Sequence, residues 1–192
     1  MRQLFGYVVG VAAIFVLAGC ASPARVEGMS INAEEVSRIS APPELRGNIA
    51  IKDVTGGSET NPMWKSNVGS SEFEQALEAS LRAAGMLSPN RVSGKYQLTA
   101  HLEQVEQPFV GIDMTVSATV QYVLSERATG KVAFARKISA PYTAKFSDSV
   151  LGVERLRLAN EGAIRENIGR FIEELAGQKL SALGNVYIAQ SN

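Results

Sequence analysis

Between Ile112 and Leu124 the chain alternates apolar and polar residues over thirteen positions: Ile112, Met114, Val116, Ala118, Val120, Tyr122 and Leu124 fall on one side and mostly polar residues on the other. Side chains of a strand point to opposite faces in turn, so this period of two predicts a strand with one face buried and one wetted. A sheet of that kind carries a second layer on one side only. Three more segments read as strands beside it. Ile49 and Ile51 alternate within Asn48–Val54, closed by Gly56-Gly57. Tyr96, Leu98, Ala100 and Leu102 alternate with Gln97, Thr99, His101 and Glu103. After a turn at Ala128-Thr129-Gly130, Val132, Phe134 and Ile138 predict a further strand to Tyr142.

Two stretches change to helical spacing. Ser71-Glu72-Phe73-Glu74 matches a capping box, with Phe73, Leu77, Leu81 and Ala84 recurring behind it and Gly85 suited to the left-handed position after the last turn. This predicts a helix over 71–84. A longer one is predicted over 150–180, with Ser147-Asp148-Ser149 as its cap and Val153, Leu156, Ala163, Ile164, Ile168, Phe171 and Leu175 on one face. The tail offers a short strand at Val186-Tyr187-Ile188. The order is β-α-β-β-β-α. It predicts an α+β fold: a mainly antiparallel sheet of about four strands with two helices packed on one face.

The amino terminus carries a different signal. Met1-Arg2-Gln3 supplies one positive charge, Leu4 to Val16 is largely apolar, and the run ends in Leu17-Ala18-Gly19-Cys20. The apolar stretch is shorter than the about 20 residues that cross a bilayer. A basic start, a short apolar core and small residues at the end describe a signal peptide over 1–19. Residues 20–46 read as a tether, rich in Ser, Ala, Glu and Arg with Pro42-Pro43 near its end. Extended, about 25 residues reach roughly 80 Å. Val26, Ile31, Val36 and Ile39 would let part of this arm lie along the domain. Residues 47–192 are then a single α+β domain.

The Leu17-Ala18-Gly19-Cys20 ending resembles the lipobox of bacterial lipoproteins. The resemblance implies cleavage before Cys20, a diacylglyceryl group on its sulfur and an acylated amine, palmitate-type chains that anchor the chain to a membrane. In such lipoproteins Asp after the cysteine favours the inner membrane, so Ala21 implies the outer membrane, periplasmic side. Behind the lipobox, the element order over residues 48–180 resembles small periplasmic lipoproteins of the YajG-like kind. More loosely it resembles lipoprotein partners of envelope transport machines and the amino-terminal domain of TolB. These likenesses imply a fold and a place in the cell envelope rather than an activity.

Composition excludes several roles. Cutting 19 of the 192 residues leaves 173, and losing Arg2 takes 19 basic side chains to 18 against 19 acidic ones. A near-neutral chain lacks the basic field of a nucleic-acid binder or a polybasic membrane-surface device. Cys20 is the sole cysteine, so there is no intramolecular disulfide, and once it is modified no thiol nucleophile or cysteine metal site remains. His101 is the sole histidine, on the polar side of its strand, which leaves no histidine pair for a metal. Asp53, Asp113 and Asp148 each lie at a strand end or helix start, where capping and loop solvation account for them better than acid–base work. No phosphate loop follows Gly56-Gly57. The expectation is a chain that is not an enzyme and needs no cofactor or metal.

Connectivity gathers three loops at one end of the domain: 56–70, 108–111 and 143–149. They hold Met63 and Trp64, Phe109, and Phe146. Such residues either cover the end of the core or form a patch for a protein or lipid partner. With the tether entering at the opposite end, the patch is expected to point away from the anchoring membrane. Within the long helix, Asn160 and Asn167 fall on the apolar face, near Arg157, and must find partners in the 143–149 loop or a sheet edge. Gly162, Gly169 and Ala176, seven apart, either admit another helix closely or lie on a solvent face. The functional expectation is a lipid-anchored periplasmic binding or scaffolding module that supports envelope assembly or transport with an envelope protein partner. The alternative is a lipid- or glycan-binding accessory lipoprotein of a transport system. An enlarged apolar cavity favours the alternative; a filled core with an exposed patch favours the first.

Overall fold

The computed structural model describes residues 22–60, 67–108 and 111–178. In chain order these form α1 (Val26–Met29), α2 (Ala33–Ser37), β1 (Ile49–Gly56), α3 (Ser70–Ala83), β2 (Tyr96–Glu106), β3 (Met114–Glu126), β4 (Val132–Ala144) and α4 (Gly152–Gly177). The strands pair as one sheet in the order β1-β2-β3-β4. The pairs β2/β3 and β3/β4 are antiparallel, but β1 and β2 run parallel. The sheet is therefore mixed. The cause is α3, which carries the chain back to the starting end of β1, so that β2 must run in the same direction.

The long alternation in β3 does what its pattern predicts. Val116, Ala118, Val120, Tyr122 and Leu124 are wholly buried beneath the helices. The other face carries hydroxyl pairs, Thr115 with Thr143 at 2.9 Å and Ser117 with Ser139 at 3.2 Å. Ile112 lies before the strand rather than in it: β3 begins at Met114, and Ile112 is 77% exposed.

Both long helices begin differently from expectation. α3 starts one residue early, with Gly69 at its N-cap and no side-chain cap, so Ser71 does not head a capping box. Its other end follows the sequence. Gly85 has φ +67°, and Met86 and Gly85 donate to the carbonyls of Leu81 and Arg82 at 2.9 and 3.0 Å, the paired bonds that close a helix on a left-handed glycine. α4 has Leu151 at its N-cap and no side-chain cap. The expected caps shape the preceding turn instead: Asp148 accepts from the Lys145 N–H at 2.8 Å, and Ser149 Oγ accepts from the Leu151 N–H at 3.2 Å. The expected strand at Val186–Ile188 lies outside the described residues.

The arm is more deeply embedded than its composition suggests. Ala24, Met29, Ile31, Ala41 and Leu45 are buried and join the hydrophobic core. α2 is opened by a capping box of Asn32 and Glu35, each side chain accepting from the other's backbone N–H. The direction of travel is informative. The Ala24 N–H reaches the Asn67 carbonyl at 3.3 Å, in the loop just before α3. The Ile31 N–H then reaches Ser80 Oγ on α3 at 3.1 Å, and the Gly47 N–H reaches the Gly85 carbonyl at 3.0 Å, past the far end of α3. The arm thus runs the length of α3 on the helical side of the sheet before β1 begins. It enters at the end that carries the strand-to-helix loops, not at the opposite end.

Candidate functional site

The loop end of the domain is built by the ends of β1, β2 and β4 and the starts of β3, α3 and α4. At its tip, the segment after β4 folds over the segment before β3. The Phe146 N–H donates to Asp113 Oδ1 at 2.9 Å. The guanidinium of Arg155 lies 5.1 Å from the centre of the Phe146 ring and donates to the Ser149 carbonyl at 2.7 Å. Asp113 and Asp148 therefore hold turns through backbone N–H groups, and neither is set against a second carboxylate by these bonds.

Among the described residues, four of the five large apolar side chains that stand exposed lie at this tip: Ile112, Phe146, Val150 and Leu151. Phe146 and Leu151 are each 49% exposed and Val150 73%. Exposed apolar groups gathered at one end of a domain make that end a candidate contact surface. Of the sequence-predicted site residues, Phe146 lies in this patch. Met63, Trp64, Phe109 and Cys20 lie outside the described residues. In the sequence Ile112 is hidden by the alternation of the neighbouring strand, and Val150 and Leu151 by falling at the expected start of the long helix.

The expected orientation of this patch needs correction. Because the arm arrives beside Asn67, the patch and the entry of the arm share one end of the domain. An ion-pair network, buried at Arg157 and Glu161 and open to solvent at Arg25 and Glu154, fixes that arrival. Arg25 donates to Glu161 Oε1 through its backbone N–H at 2.8 Å and its Nε at 3.3 Å. Glu161 also pairs with Arg157, which pairs with Glu154. Burial opposes the charge on Arg157, but Glu161 and Glu154 outweigh it, so the guanidinium holds its proton more tightly than usual. A Cβ on Gly28 would sit 2.3 Å from Glu161 Oε2, so a side chain there would have to displace this carboxylate from its pairing.

The interior beneath the patch is filled. Tyr122 stacks on Phe171 at 4.0 Å between ring centres. Asn167 Nδ2 donates to the carbonyls of Ala118 and Ile138 at 2.9 and 2.7 Å, and its Oδ1 accepts from the Tyr122 hydroxyl at 2.9 Å. It thus bonds the middle of the sheet, not an edge or the 143–149 loop. Asn160 accepts from Gln107 Nε2 at 2.7 Å. A Cβ on Gly162 would meet the Tyr142 ring at 2.2 Å, and one on Gly169 would meet Ile31 at 3.7 Å. Gly162 thus admits this chain's own β4 rather than a foreign helix, while Gly169 merely lies within ordinary contact of the arm. A groove of about 370 Å³ lies elsewhere, at the far end beside β1, lined by Ala50, Ile51, Glu78, Arg82, Leu87 and Pro89.

His101 Nδ1 lies 2.8 Å from Thr55 Oγ1 on the exposed face of the sheet. Among the described residues no group of three or more His, Cys, Asp or Glu is placed to hold a metal ion. No described helix is long and apolar enough to cross a membrane.

In fold, the chain is similar to a Xanthomonas campestris protein of family DUF330. The match has a TM-score of 0.53 at 12% identity and covers 76% of this chain and 95% of that one. A minor lipoprotein from Acinetobacter baumannii matches at TM-score 0.45 and 10% identity, covering 68% and 93% of the two chains. PelC from Paraburkholderia phytofirmans matches at 0.43 and 16%, covering 72% and 96%. At these identities the first likeness speaks for the fold alone. No family model and no curated protein matches the sequence.

Proposed function

We propose that this chain is a lipid-anchored envelope protein, held by Cys20 on the periplasmic side of the outer membrane, that acts as a non-catalytic binding or scaffolding module in envelope assembly or transport. The observation that carries this reading is the pairing of a filled interior with an exposed apolar end. The helix–sheet interface is occupied by Tyr122, Phe171 and the Asn167 bonds, while Ile112, Phe146, Val150 and Leu151 stand in solvent. A ligand carrier needs the reverse, a cavity lined by apolar side chains. The anchor rests on Leu17-Ala18-Gly19-Cys20, and the outer-membrane placement on Ala21. His101, bonded to Thr55 on an exposed face, and Asp113 and Asp148, bonded to backbone, support a role without acid–base chemistry. The YajG-like kinship belongs to the same reading.

Cross-linking in intact cells, followed by mass spectrometry, tests it. The expected result is recurrent recovery of one envelope component joined to this domain. Recovery of the purified protein with one tightly held lipid or glycan per chain would favour the accessory-lipoprotein alternative instead.

A further inference from the structure

The arm's point of arrival and the exposed tip constrain each other. Arg25 is fixed to Glu161 through two hydrogen bonds. An α-helix rises about 1.5 Å per residue, so Leu151, ten positions before Glu161 in the direction of the tip, stands at most about 15 Å beyond that point. Cys20 is five positions before Arg25, and five residues span at most about 18 Å. The cysteine can therefore lie at most a few ångströms (about 3 Å) beyond the level of the tip. A leaflet that takes up acyl chains on Cys20 cannot stand far beyond the plane of Ile112, Phe146, Val150 and Leu151.

The chemistry of the tip suits that position. Its apolar groups are exposed, which is unfavourable in water and favourable at a bilayer interface. Several of the polar groups beside them are engaged: Asp113 and Asp148 accept backbone N–H groups, and Arg155, whose Nε has no partner, is bonded to the Ser149 carbonyl and stacked over Phe146. Bringing the tip to the headgroup region thus strands few hydrogen-bonding groups. A handful of apolar side chains binds a membrane only weakly alone, but lipid anchors commonly act with a second contact.

We propose that Ile112, Phe146, Val150 and Leu151 form a membrane-seating surface that rests on the same lipid leaflet that holds Cys20. The domain then stands on its loop end, with the groove beside β1 and the far turn at Val92 facing the periplasm. This rests on the lipidation of Cys20.

The test uses the full-length lipidated protein in vesicles of phosphatidylethanolamine and phosphatidylglycerol. With the sole native cysteine blocked by lipid, Leu151→Cys, Val150→Cys and Val92→Cys each accept one nitroxide label. All three sites are surface positions, and circular dichroism verifies folding. Relaxation by oxygen and by a water-soluble nickel chelate reads the depth of each label. The expected result is strong oxygen contact and weak nickel contact at 150 and 151, with the reverse at 92. Equal nickel contact at 151 and 92, on protein that floats with the vesicles, would overturn the membrane-seating surface and leave the anchor intact. Shielding of 151 from both reagents would overturn it in favour of a protein partner. Protein that fails to float would overturn the anchor itself and the proposal with it.

Discussion

The Asn167–Tyr122 contact yields the sharpest energetic prediction. Both residues are fully buried. Asn167→Leu keeps the side chain's approximate volume and removes three hydrogen bonds: two to strand carbonyls and one from the Tyr122 hydroxyl. Each is worth about 0.5–1.5 kcal/mol net, and stranding the buried hydroxyl adds about 1–3 kcal/mol. The substitution should therefore cost about 2.5–7.5 kcal/mol. Tyr122→Phe removes one bond, leaves Asn167 Oδ1 short of a donor and keeps the ring stacked on Phe171, for about 1–2 kcal/mol. In the double variant neither polar group is stranded, so it should be more stable than the summed single losses imply, by about 1–2 kcal/mol. Urea denaturation followed by circular dichroism and fluorescence gives all four corners of the cycle. Losses that add to within about 0.5 kcal/mol would refute the coupling, because uncoupled sites behave that way.

Burial holds the Tyr122 phenol well above its ordinary range. A raised folded-state pKa means stability is complete below the unfolded value of about 10 and falls as pH rises above it, where the unfolded chain loses its proton first; Tyr122→Phe should flatten that fall in pH-dependent urea midpoints. Glu161→Gln should cost about 3 kcal/mol by leaving Arg157 without its buried counter-charge. It should also loosen the arm, which limited trypsin digestion would register as faster cleavage after Arg25. His101→Ala, which removes only an exposed contact to Thr55, should change stability by less than about 0.5 kcal/mol and leave cellular function intact; loss of function in the folded variant would revive an enzymatic reading.

How far the sequence carries the fold depends on how each element is stabilised. β3 is legible because one of its faces is buried throughout, which imposes strict alternation on Val116 to Leu124. α4 is legible because Ile164, Ile168, Phe171 and Leu175 recur at its turns. The arm reads as a tether because α1 and α2 are a single turn or so each and the arm buries isolated residues, Met29 in α1 and Leu45 beyond α2, that create no period. The Asn32–Glu35 capping pair was a usable sign of structure there. Nothing local states which way the arm runs, since its direction is set by distant partners: Asn67, Ser80 and Glu161. That is why the loop end was legible as a candidate surface and its orientation to the anchor was not. Asn167 shows the same limit. Its amide marks a polar demand inside an apolar face, but only the packed helix reveals that the sheet's own carbonyls answer it.

The central claim is that Cys20 anchors this domain to a membrane, and the fate of Cys20→Ser addresses it most directly. Cells fed labelled palmitate are fractionated, and the native and variant proteins are compared in membrane and soluble fractions. The account predicts that the native protein carries label and sediments with membranes, and that the variant carries none and is soluble or remains unprocessed. A fully processed Cys20→Ser protein that still sediments with the membrane would contradict the account.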